Sequence, residues 1–313
     1  MGNKLKQLIG ALCVPPNKKV NLKKDYDPGF VGHFMSKADA EKTTTAGINL
    51  LAEQQDKLYA QDTYALLIIL QGMDAAGKDS TIKHVMSGVN PQGVRVTSFK
   101  EPSLEELNHD YLWRNVTALP KRGEIAIFNR SYYEEVLVVR VHPEYLKKQH
   151  LPPKLKDTTI WNRRLEEINN FEKYLVNNGI IVLKCFLNVS KEVQKKRFLN
   201  RVDLADKNWK FSASDIQERQ YWDQYMDAYQ DVINTTSTPW APWYIIPADH
   251  KWFTRLAVVS VIHQTLNRLN LSYPTVSRDQ RQALLDAKAE MEREGGGVKD
   301  TTEKKKGKKK NVI

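Results

Sequence analysis

The chain has 313 residues, of which 41% are hydrophobic and 27% are charged. This balance is typical of a globular protein and excludes collagen-like structure and extensive disorder. The net charge is +11, of which the Lys-rich segment 299–313 contributes +5. The rest of the chain is therefore mildly basic, which permits a polyanionic partner without requiring one.

The N-terminal residues 1–32 lack clear periodicity and contain Pro15, Pro16 and Pro28, so we expect an extended arm. Ser36 is placed to cap a helix that runs to about Ala60. No apolar run approaches the ~18 residues of a membrane-spanning helix. We expect a cytoplasmic protein that does not contact a membrane.

Five apolar runs predict strands, and helical patterns lie between them. The strands are expected at 64–70, 94–99, 124–128, 180–187 and 243–246, and the helices at 80–88, 104–118, 162–177 and 191–202. Strands that alternate with helices at this spacing pair in parallel through crossover helices. The sequence therefore predicts a layered α/β domain.

The C-terminal third departs from this alternation. Residues 203–238 are polar, aromatic and helical, which indicates an excursion from the sheet. An amphipathic helix at 256–269 and a polar helix at 279–294 are expected to follow. We therefore predict a single domain over 33–294 and a disordered Lys-rich tail over 295–313. Cys13 and Cys185 lack zinc or CxxC spacing, so we expect free thiols, with Cys185 buried.

The sharpest local signal is the segment 72–80 (GMDAAGKDS), which follows a predicted buried strand and opens a predicted helix. A GxxxxGK segment in this context binds phosphate through backbone N–H groups and the helix N-terminus, and Lys78 adds positive charge. Asp79 stands where Ser or Thr usually holds Mg²⁺, so Asp74 is the candidate metal ligand. The alternative is a chance Gly-rich turn. The candidate phosphate contacts are Gly72, Ala75, Ala76, Gly77, Asp79 and Ser80.

Two further patterns strengthen this hypothesis. Asn129 and Arg130 follow the third predicted strand, where related enzymes place a metal-side carboxylate, and Arg130 could contact a transferring phosphoryl group. Arg197 and Arg201 share one helix face and, with Lys207 and Lys210, predict a movable basic cover over a phosphate chain. Taken alone, these patterns also fit a capping turn and a solvated basic helix.

Three stretches together, 71–79, 128–134 and 196–212, resemble the polyphosphate kinase 2 family, and the resemblance covers roughly residues 20–275. It implies a P-loop kinase-like three-layer sandwich with a central parallel sheet of about five strands and a helical lid at about 195–235. It implies reversible transfer of phosphoryl groups between inorganic polyphosphate and nucleotides, with Mg²⁺ as the cofactor and Mn²⁺ as its substitute.

The resemblance also implies roles for individual residues. Asp74 and Lys78 match the catalytic acid and lysine of the family's loop, and Asn129 and Arg130 match its second motif. The Asn form looks like the subgroup that accepts both AMP and ADP, with guanine nucleotides as further acceptors. Candidates for the nucleotide side are Tyr133, Glu134 and Arg140. We expect a homodimer or homotetramer that does not bind nucleic acid.

Two other functions stay open at this point. An ATP-dependent nucleoside monophosphate kinase shares the fold and the phosphate loop. A non-enzymatic polyanion-binding protein would use only the basic residues. The second is disfavoured because binding alone does not require a carboxylate such as Asp74 inside the loop.

Overall fold

The computed structural model describes residues 3–32, 36–210 and 212–294. Its strands are β1 (Ala65–Gln71), β2 (Val94–Ser98), β3 (Ile125–Asn129), β4 (Ile180–Asn188) and β5 (Trp243–Pro247). They form one parallel sheet in the order β2-β3-β1-β4-β5. All five predicted strands are confirmed, to within one residue at each end.

The helices account for most of the remaining described residues. They are α1 (Asn3–Leu12), α2 (Leu22–Asp25), α3 (Lys37–Gln61), α4 (Lys78–Val85), α5 (Leu104–Leu107), α6 (Trp113–Val116), α7 (Val138–Val141), α8 (Pro143–Lys148), α9 (Ile160–Asn177), α10 (Lys191–Asp203), α11 (Ala213–Glu218), α12 (Trp222–Thr236), α13 (Lys251–Asn267) and α14 (Arg278–Glu294). Short 3-10 helices lie at Pro91–Gly93, Tyr132–Val136, Pro153–Leu155, Asn208–Lys210 and Arg219–Tyr221.

The sheet is covered on both faces, as the continuous apolar runs of β1 and β3 predict. Every residue of these two strands is buried. One group of packed helices contains α3, α4 and α13, and another contains α7, α9 and α12. This is the three-layer α/β sandwich of P-loop kinases. The helix predicted at 256–269 is confirmed as α13, but it is buried on most of its surface, so its predicted amphipathic character is wrong.

The predicted helix over 104–118 is instead two short helices, α5 and α6. A capping box between Ser103 and Glu106 begins α5. The carboxylate of Asp110 then accepts a hydrogen bond from the backbone N–H of Leu112 at 2.9 Å. Such a local side-chain bond competes with helix formation, and here it separates the two helical segments.

The prediction of an extended arm over 1–32 is also wrong. Leu8, Ile9 and Leu12 of α1 are buried in the main core. With Leu5 they follow the i, i+3, i+4, i+7 spacing of an amphipathic helix, a signal that the prolines after it obscured. Beyond α1, the N–H of Val14 donates to the carbonyl of Trp243 in β5 at 2.8 Å, so the segment joins the sheet edge.

The domain boundaries differ from the predicted 33–294 at both ends. The described residues up to Ser272 form one compact unit that includes the N-terminal helices, and those from Tyr273 form a second unit. The second unit contains α14, which has no buried residue and is the predicted polar helix. The predicted disordered tail, 295–313, lies outside the described residues.

The predicted lid over 195–235 is too long. Helix α12 buries a stripe that includes Tyr225, Tyr229 and Ile233, so it belongs to the core. The stretch before α12 is more exposed. It begins with the end of α10 at 199–203, and its described part, 199–209, 212 and 215–219, is called the lid segment below. Among the described residues no helix is long and apolar enough to cross a membrane. Both cysteines are free thiols and Cys185 is buried, as predicted.

A buried ionic network joins β4, α9 and the 3-10 helix after β3. The Lys184 ammonium lies 2.6 Å from the Glu172 carboxylate, and both side chains are fully buried. Glu172 also accepts hydrogen bonds from the hydroxyls of Tyr132 and Tyr133, at 2.9 Å and 2.8 Å. Lys184 completes its contacts with the carbonyl of Thr236. The network fixes the segment that follows Arg130.

Removing one member of this pair is expected to be costly. Lys184→Met leaves the Glu172 carboxylate buried without its cation, which costs about 3–5 kcal/mol of unfolding free energy. The double variant Lys184→Met with Glu172→Gln leaves neither charge buried and keeps an acceptor for the tyrosines. It should recover much of that loss in urea unfolding. A single variant as stable as the wild type would contradict a structural role for the pair.

Candidate active site

The phosphate loop turns sharply between β1 and α4. Gly72 has φ 153°, and a Cβ there would lie 2.9 Å from the carbonyl oxygen of Leu187. Gly77 has φ 107°, and Ala75 adopts φ 59° although it carries a side chain. Successive residues of alternating backbone handedness form a concave nest of N–H groups, which suits an anion. The loop therefore has the geometry that its sequence predicts.

Lys78 is buried at the base of this loop. Its ammonium donates to the carbonyl of Gly72 at 2.6 Å and lies 3.4 Å from that of Met73. Burial lowers the pKa of Lys78 to about 8, and the nearby Arg130 acts in the same direction, against the carboxylate of Asp74. The lysine is thus a desolvated cation that an incoming phosphate would stabilise.

Asp74 and Arg130 form an ion pair at the centre of the site. One guanidinium N–H of Arg130 lies 2.7 Å from a carboxylate oxygen of Asp74. Burial opposes ionisation of Asp74, but Lys78 and Arg130 together lower its pKa below the usual value. Arg130 has φ 65°, and its backbone N–H is held by the carbonyl of Leu70 in β1.

Glu134 is the fourth charged group at this centre. Burial raises the pKa of its carboxyl, while Arg130 and Lys78 oppose the rise. In return, Glu134 is the main cause of the raised pKa of Arg130. Glu134 belongs to the second motif and lies in the short 3-10 helix after β3.

Asn129 contacts a carboxylate of the phosphate loop. Its side-chain amide donates to Asp79 at 2.6 Å and lies 3.4 Å from the hydroxyl of Ser98. Asp79 is exposed towards the cleft, where a carboxylate suits a metal ion better than a direct phosphate contact. The side chain of Ser80 is turned back, because its hydroxyl donates to the carbonyl of Gly77.

The phosphate loop and the lid segment line a cleft of about 800 Å³, called the loop cleft below. Among the predicted residues, Arg201 and Lys207 reach it from the lid side. Lys100 and Lys251, which sequence reasoning missed, also line it. Both follow the carboxyl ends of strands, β2 and β5, and that position was the available signal.

A second cavity of about 240 Å³, called the inner cavity below, adjoins the loop cleft. Glu134, Tyr145 and Tyr225 are among its lining residues. The two spaces share five lining residues, and this shared wall is called the junction. Its residues are Asp74, Phe99, Lys100, Arg130 and Asp215.

Two predicted nucleotide-side residues lie elsewhere. Tyr133 is fully buried and its hydroxyl is committed to Glu172, so it cannot contact a nucleotide. Arg140 pairs with Asp231 of α12 at 2.6 Å and lines neither the loop cleft nor the inner cavity. Tyr133 lies within the second motif and Arg140 follows it, but the short helices there turn both side chains away from the site.

Arg197 and Lys210 are the remaining predicted phosphate contacts. Arg197 lies at the loop cleft, but its guanidinium donates to the backbone carbonyls of Ala75 and Ala76 rather than facing the open space. The side chain of Lys210 lies outside the described part of the chain.

The oxygen donors at the cleft suit a hard divalent cation that also contacts substrate. The phosphate loop contributes the carboxylates of Asp74 and Asp79 to the cleft, and the lid segment contributes that of Asp215. Over the described residues, no group of three His, Cys, Asp or Glu side chains could hold a metal alone. Mg²⁺ commonly binds through one or two carboxylates together with phosphate oxygens and water, so the residues present fit such an ion.

Comparison with known proteins identifies similar chains of one family. A family model described as polyphosphate kinase 2 matches residues 34–273. The chain is 48% identical to the ADP-polyphosphate phosphotransferase of Rhodopseudomonas palustris, over 82% of this chain and 90% of that protein. It is 42% identical to the AMP/ADP-polyphosphate phosphotransferase of Meiothermus ruber, over 83% and 94% of the respective chains.

A solved structure has a similar fold. The crystal structure of polyphosphate kinase 2 from Arthrobacter aurescens TC1 superposes with a TM-score of 0.79 at 38% sequence identity. The match covers 88% of this chain and 96% of that one.

The lowered pKa of Lys78 leads to a measurable proton linkage. A phosphate chain bound in the loop stabilises the ammonium, so binding raises a pKa that is about 8 in the free protein. At pH 8 we therefore expect tripolyphosphate binding to take up roughly 0.5 proton through this group. Calorimetry in buffers of different ionisation enthalpy measures the uptake. Lys78→Arg, which stays protonated, is the control, and equal uptake by both proteins would contradict the assignment.

Proposed function

The chain belongs to the polyphosphate kinase 2 family, and we propose that it transfers phosphoryl groups reversibly between inorganic polyphosphate and nucleoside mono- and diphosphates. The observation that carries this proposal is the junction. A phosphoryl group held there, between Asp74 and Arg130, faces the loop cleft on one side and the inner cavity on the other. Donor and acceptor can thus approach one phosphorus atom from separate spaces.

The loop cleft is the proposed site of the polyphosphate donor. Its cations come from the loop, the lid segment and two strand ends. Apart from Arg130 at the junction and Arg197, whose guanidinium is bonded to backbone carbonyls, they are Lys78, Lys100, Arg201, Lys207 and Lys251. Burial lowers the pKa of Lys251, and the neighbouring cations Arg197 and Lys207 lower it further. A region where cations repel one another is stabilised when a chain of phosphates enters it.

The inner cavity is the proposed entry of the acceptor nucleotide. It has aromatic walls at Tyr145 and Tyr225 and a cation at Lys148. These groups suit a molecule with an aromatic base and a charged phosphate end. The junction lies at one end of this space, so the acceptor's terminal phosphate would meet the donor there.

The reaction needs no covalent enzyme intermediate. A terminal phosphate oxygen of the nucleotide forms a bond to the end phosphorus of the donor, and the bond from that phosphorus to the rest of the chain breaks. The shortened polyphosphate leaves with the electron pair. Because the transition state is loose and its charge lies on oxygens, positioned cations such as Lys78 and Arg130 supply most of the stabilisation. Asp74 orients Arg130 through their ion pair.

We propose Mg²⁺ as the cofactor, with Mn²⁺ as its substitute. Asp74 and Asp79 are the carboxylates that would hold it, and Asn129 would act by orienting Asp79 through their hydrogen bond. A bound divalent ion supplies charge neutralisation to the phosphate oxygens.

The dual acceptor range rests on the neutral Asn129. An amide at this position repels an additional phosphate less than a carboxylate would. The site would therefore accept a nucleotide shifted by one phosphate unit. The relative from Meiothermus ruber is named for both acceptors and that from Rhodopseudomonas palustris for ADP. Guanine nucleotides as acceptors, and a homodimer or homotetramer, stay predictions from the sequence.

A direct assay tests the donor and the acceptor. The protein is mixed with Mg²⁺, polyphosphate, AMP and an adenylate kinase inhibitor, and ADP and ATP are measured over time by chromatography. We expect AMP to yield ADP first and then ATP. The inhibitor excludes formation of ATP from two ADP molecules by a contaminant. ADP that accumulates without ATP, or AMP that stays inert while ADP reacts, would contradict the dual range. Turnover only with ATP as donor would contradict the polyphosphate assignment.

The central residues predict a second result. Lys78→Ala and Asp74→Asn should each lower turnover by at least ~100-fold, the scale for losing one positioned charged group. Melting temperatures should change little, because both groups serve the cleft rather than the core. Lys83→Ala, which removes an exposed lysine from the same helix, is the matched control. A near-normal rate in either site variant would exclude that residue from catalysis.

A further inference from the structure

Three consecutive carbonyls of the phosphate loop are held by helix α10. The side-chain amide of Gln194 donates to the carbonyl of Asp74 at 2.8 Å. One nitrogen of the Arg197 guanidinium donates to the carbonyls of Ala75 and Ala76, at 2.9 Å and 2.8 Å. Gln194 and Arg197 are three residues apart, so they project from the same side of α10.

This arrangement determines where the loop N–H groups point. Within a peptide unit the carbonyl and the N–H point in opposite directions. When α10 draws the carbonyls of residues 74–76 to one side, the N–H groups of the residues that follow them turn to the other side, towards an anion. Ala75 with φ 59° is part of this conformation. A non-glycine residue with such a φ persists only when its surroundings hold it.

Arg197 has little capacity left for a phosphate contact. Its second terminal nitrogen donates to the carbonyls of Ala248 and Asp249, in the loop after β5. Four of the five N–H donors of a guanidinium are therefore used on backbone carbonyls. Arg201, one turn further along α10, instead pairs with Asp215 on the wall of the loop cleft. The two arginines share a helix face but have different partners.

Gln194 is held in place from its other end. Its side-chain oxygen accepts a hydrogen bond from Arg219 at 2.6 Å, and Arg219 also donates to the carbonyl of Lys191. Only 1% of Gln194 is exposed. Its amide orientation is thus fixed with the N–H₂ group towards the loop.

We propose that Gln194 and Arg197 are positioning residues that hold the phosphate loop with its N–H groups directed at the donor. Neither contacts the reacting atoms. Identifying the donor as polyphosphate rests on the function proposed above, whereas the hold on the loop does not. The proposal therefore replaces the sequence-based assignment of Arg197 as a phosphate contact.

The first test uses the protein without substrate. Hydrogen–deuterium exchange of the amides in residues 74–78 should accelerate about tenfold in Arg197→Gln and in Gln194→Met, the change expected when one or two hydrogen bonds are lost. Arg201→Gln is the matched control and should exchange as the wild type does. Unchanged exchange in both Arg197→Gln and Gln194→Met would overturn the proposal. Gln194→Met removes one bond to the loop and one from Arg219, fewer than the four bonds of Arg197, so it remains informative if the arginine variant fails to fold.

The second test separates positioning from phosphate contact. Arg197→Gln should lower kcat while the salt dependence of the KM for polyphosphate keeps its wild-type slope, since no phosphate contact is lost. Arg201→Gln should flatten that slope. Arg197→Lys keeps the charge but cannot bridge both loops, so its kcat should stay low. A flattened slope in Arg197→Gln, with recovery in Arg197→Lys, would overturn the proposal in favour of a direct contact.

The two proposals fail in distinguishable ways. If the wild-type protein does not use polyphosphate, the proposed function is wrong, but the exchange experiment still reports on the loop. If the wild type uses polyphosphate and exchange is insensitive to Arg197 and Gln194, only the positioning proposal is wrong.

Discussion

The five strands run parallel, so their carboxyl ends lie along one edge of the sheet, and the site is assembled from the segments that leave this edge. β1 leads into the phosphate loop, β2 into Lys100, β3 into Arg130 and β5 into Lys251. β4 leads into α10, whose side chains reach back to the loop. Residues far apart in the chain therefore converge because of strand direction alone.

Charges at this edge change from a balanced centre to a cationic cleft, where a phosphate chain would lie. At the centre, Lys78 and Arg130 are balanced by Asp74 and Glu134. Further along the loop cleft, the cations Lys100, Arg201, Lys207 and Lys251 outnumber the carboxylates Asp79 and Asp215. The balanced centre remains stable without substrate, and the cationic arm supplies attraction over a longer distance. Affinity for the chain and chemistry at its end are thus carried by different groups.

The sequence predicts the parts of this protein that depend on local patterns. Buried parallel strands appear as apolar runs, and the Gly-rich loop has a fixed spacing, so the strands and the position of the loop between β1 and α4 are confirmed. Side-chain direction in irregular segments is not encoded in that way. Tyr133 and Arg140 stand close to Arg130 in the chain, yet one enters the buried Lys184–Glu172 network and the other turns to α12. Packing among distant elements makes these choices, and spacing alone does not reveal them.

The same limit explains Arg197. Its helical spacing with Arg201 is a genuine property of the sequence, but the partners of each depend on loops that arrive from β1 and β5. The covered N-terminal helix α1 shows the converse case, because its apolar spacing was present in the sequence and neighbouring prolines outweighed it. The partners of Arg197 therefore depend on tertiary packing, whereas the burial of α1 follows from the periodicity of its apolar residues.

The positive φ angles of Ala75 and Arg130 have an evolutionary consequence. The backbone of both residues lies in a region of φ that costs about 1–3 kcal/mol per non-glycine residue. Arg130 is at the junction, and Ala75 is in the phosphate loop beside it. Glycine at position 75 would relieve that strain, yet it would also let the loop sample conformations that do not form the nest. A search for more thermostable descendants of this protein would thus be drawn to the two positions where gains in stability oppose turnover.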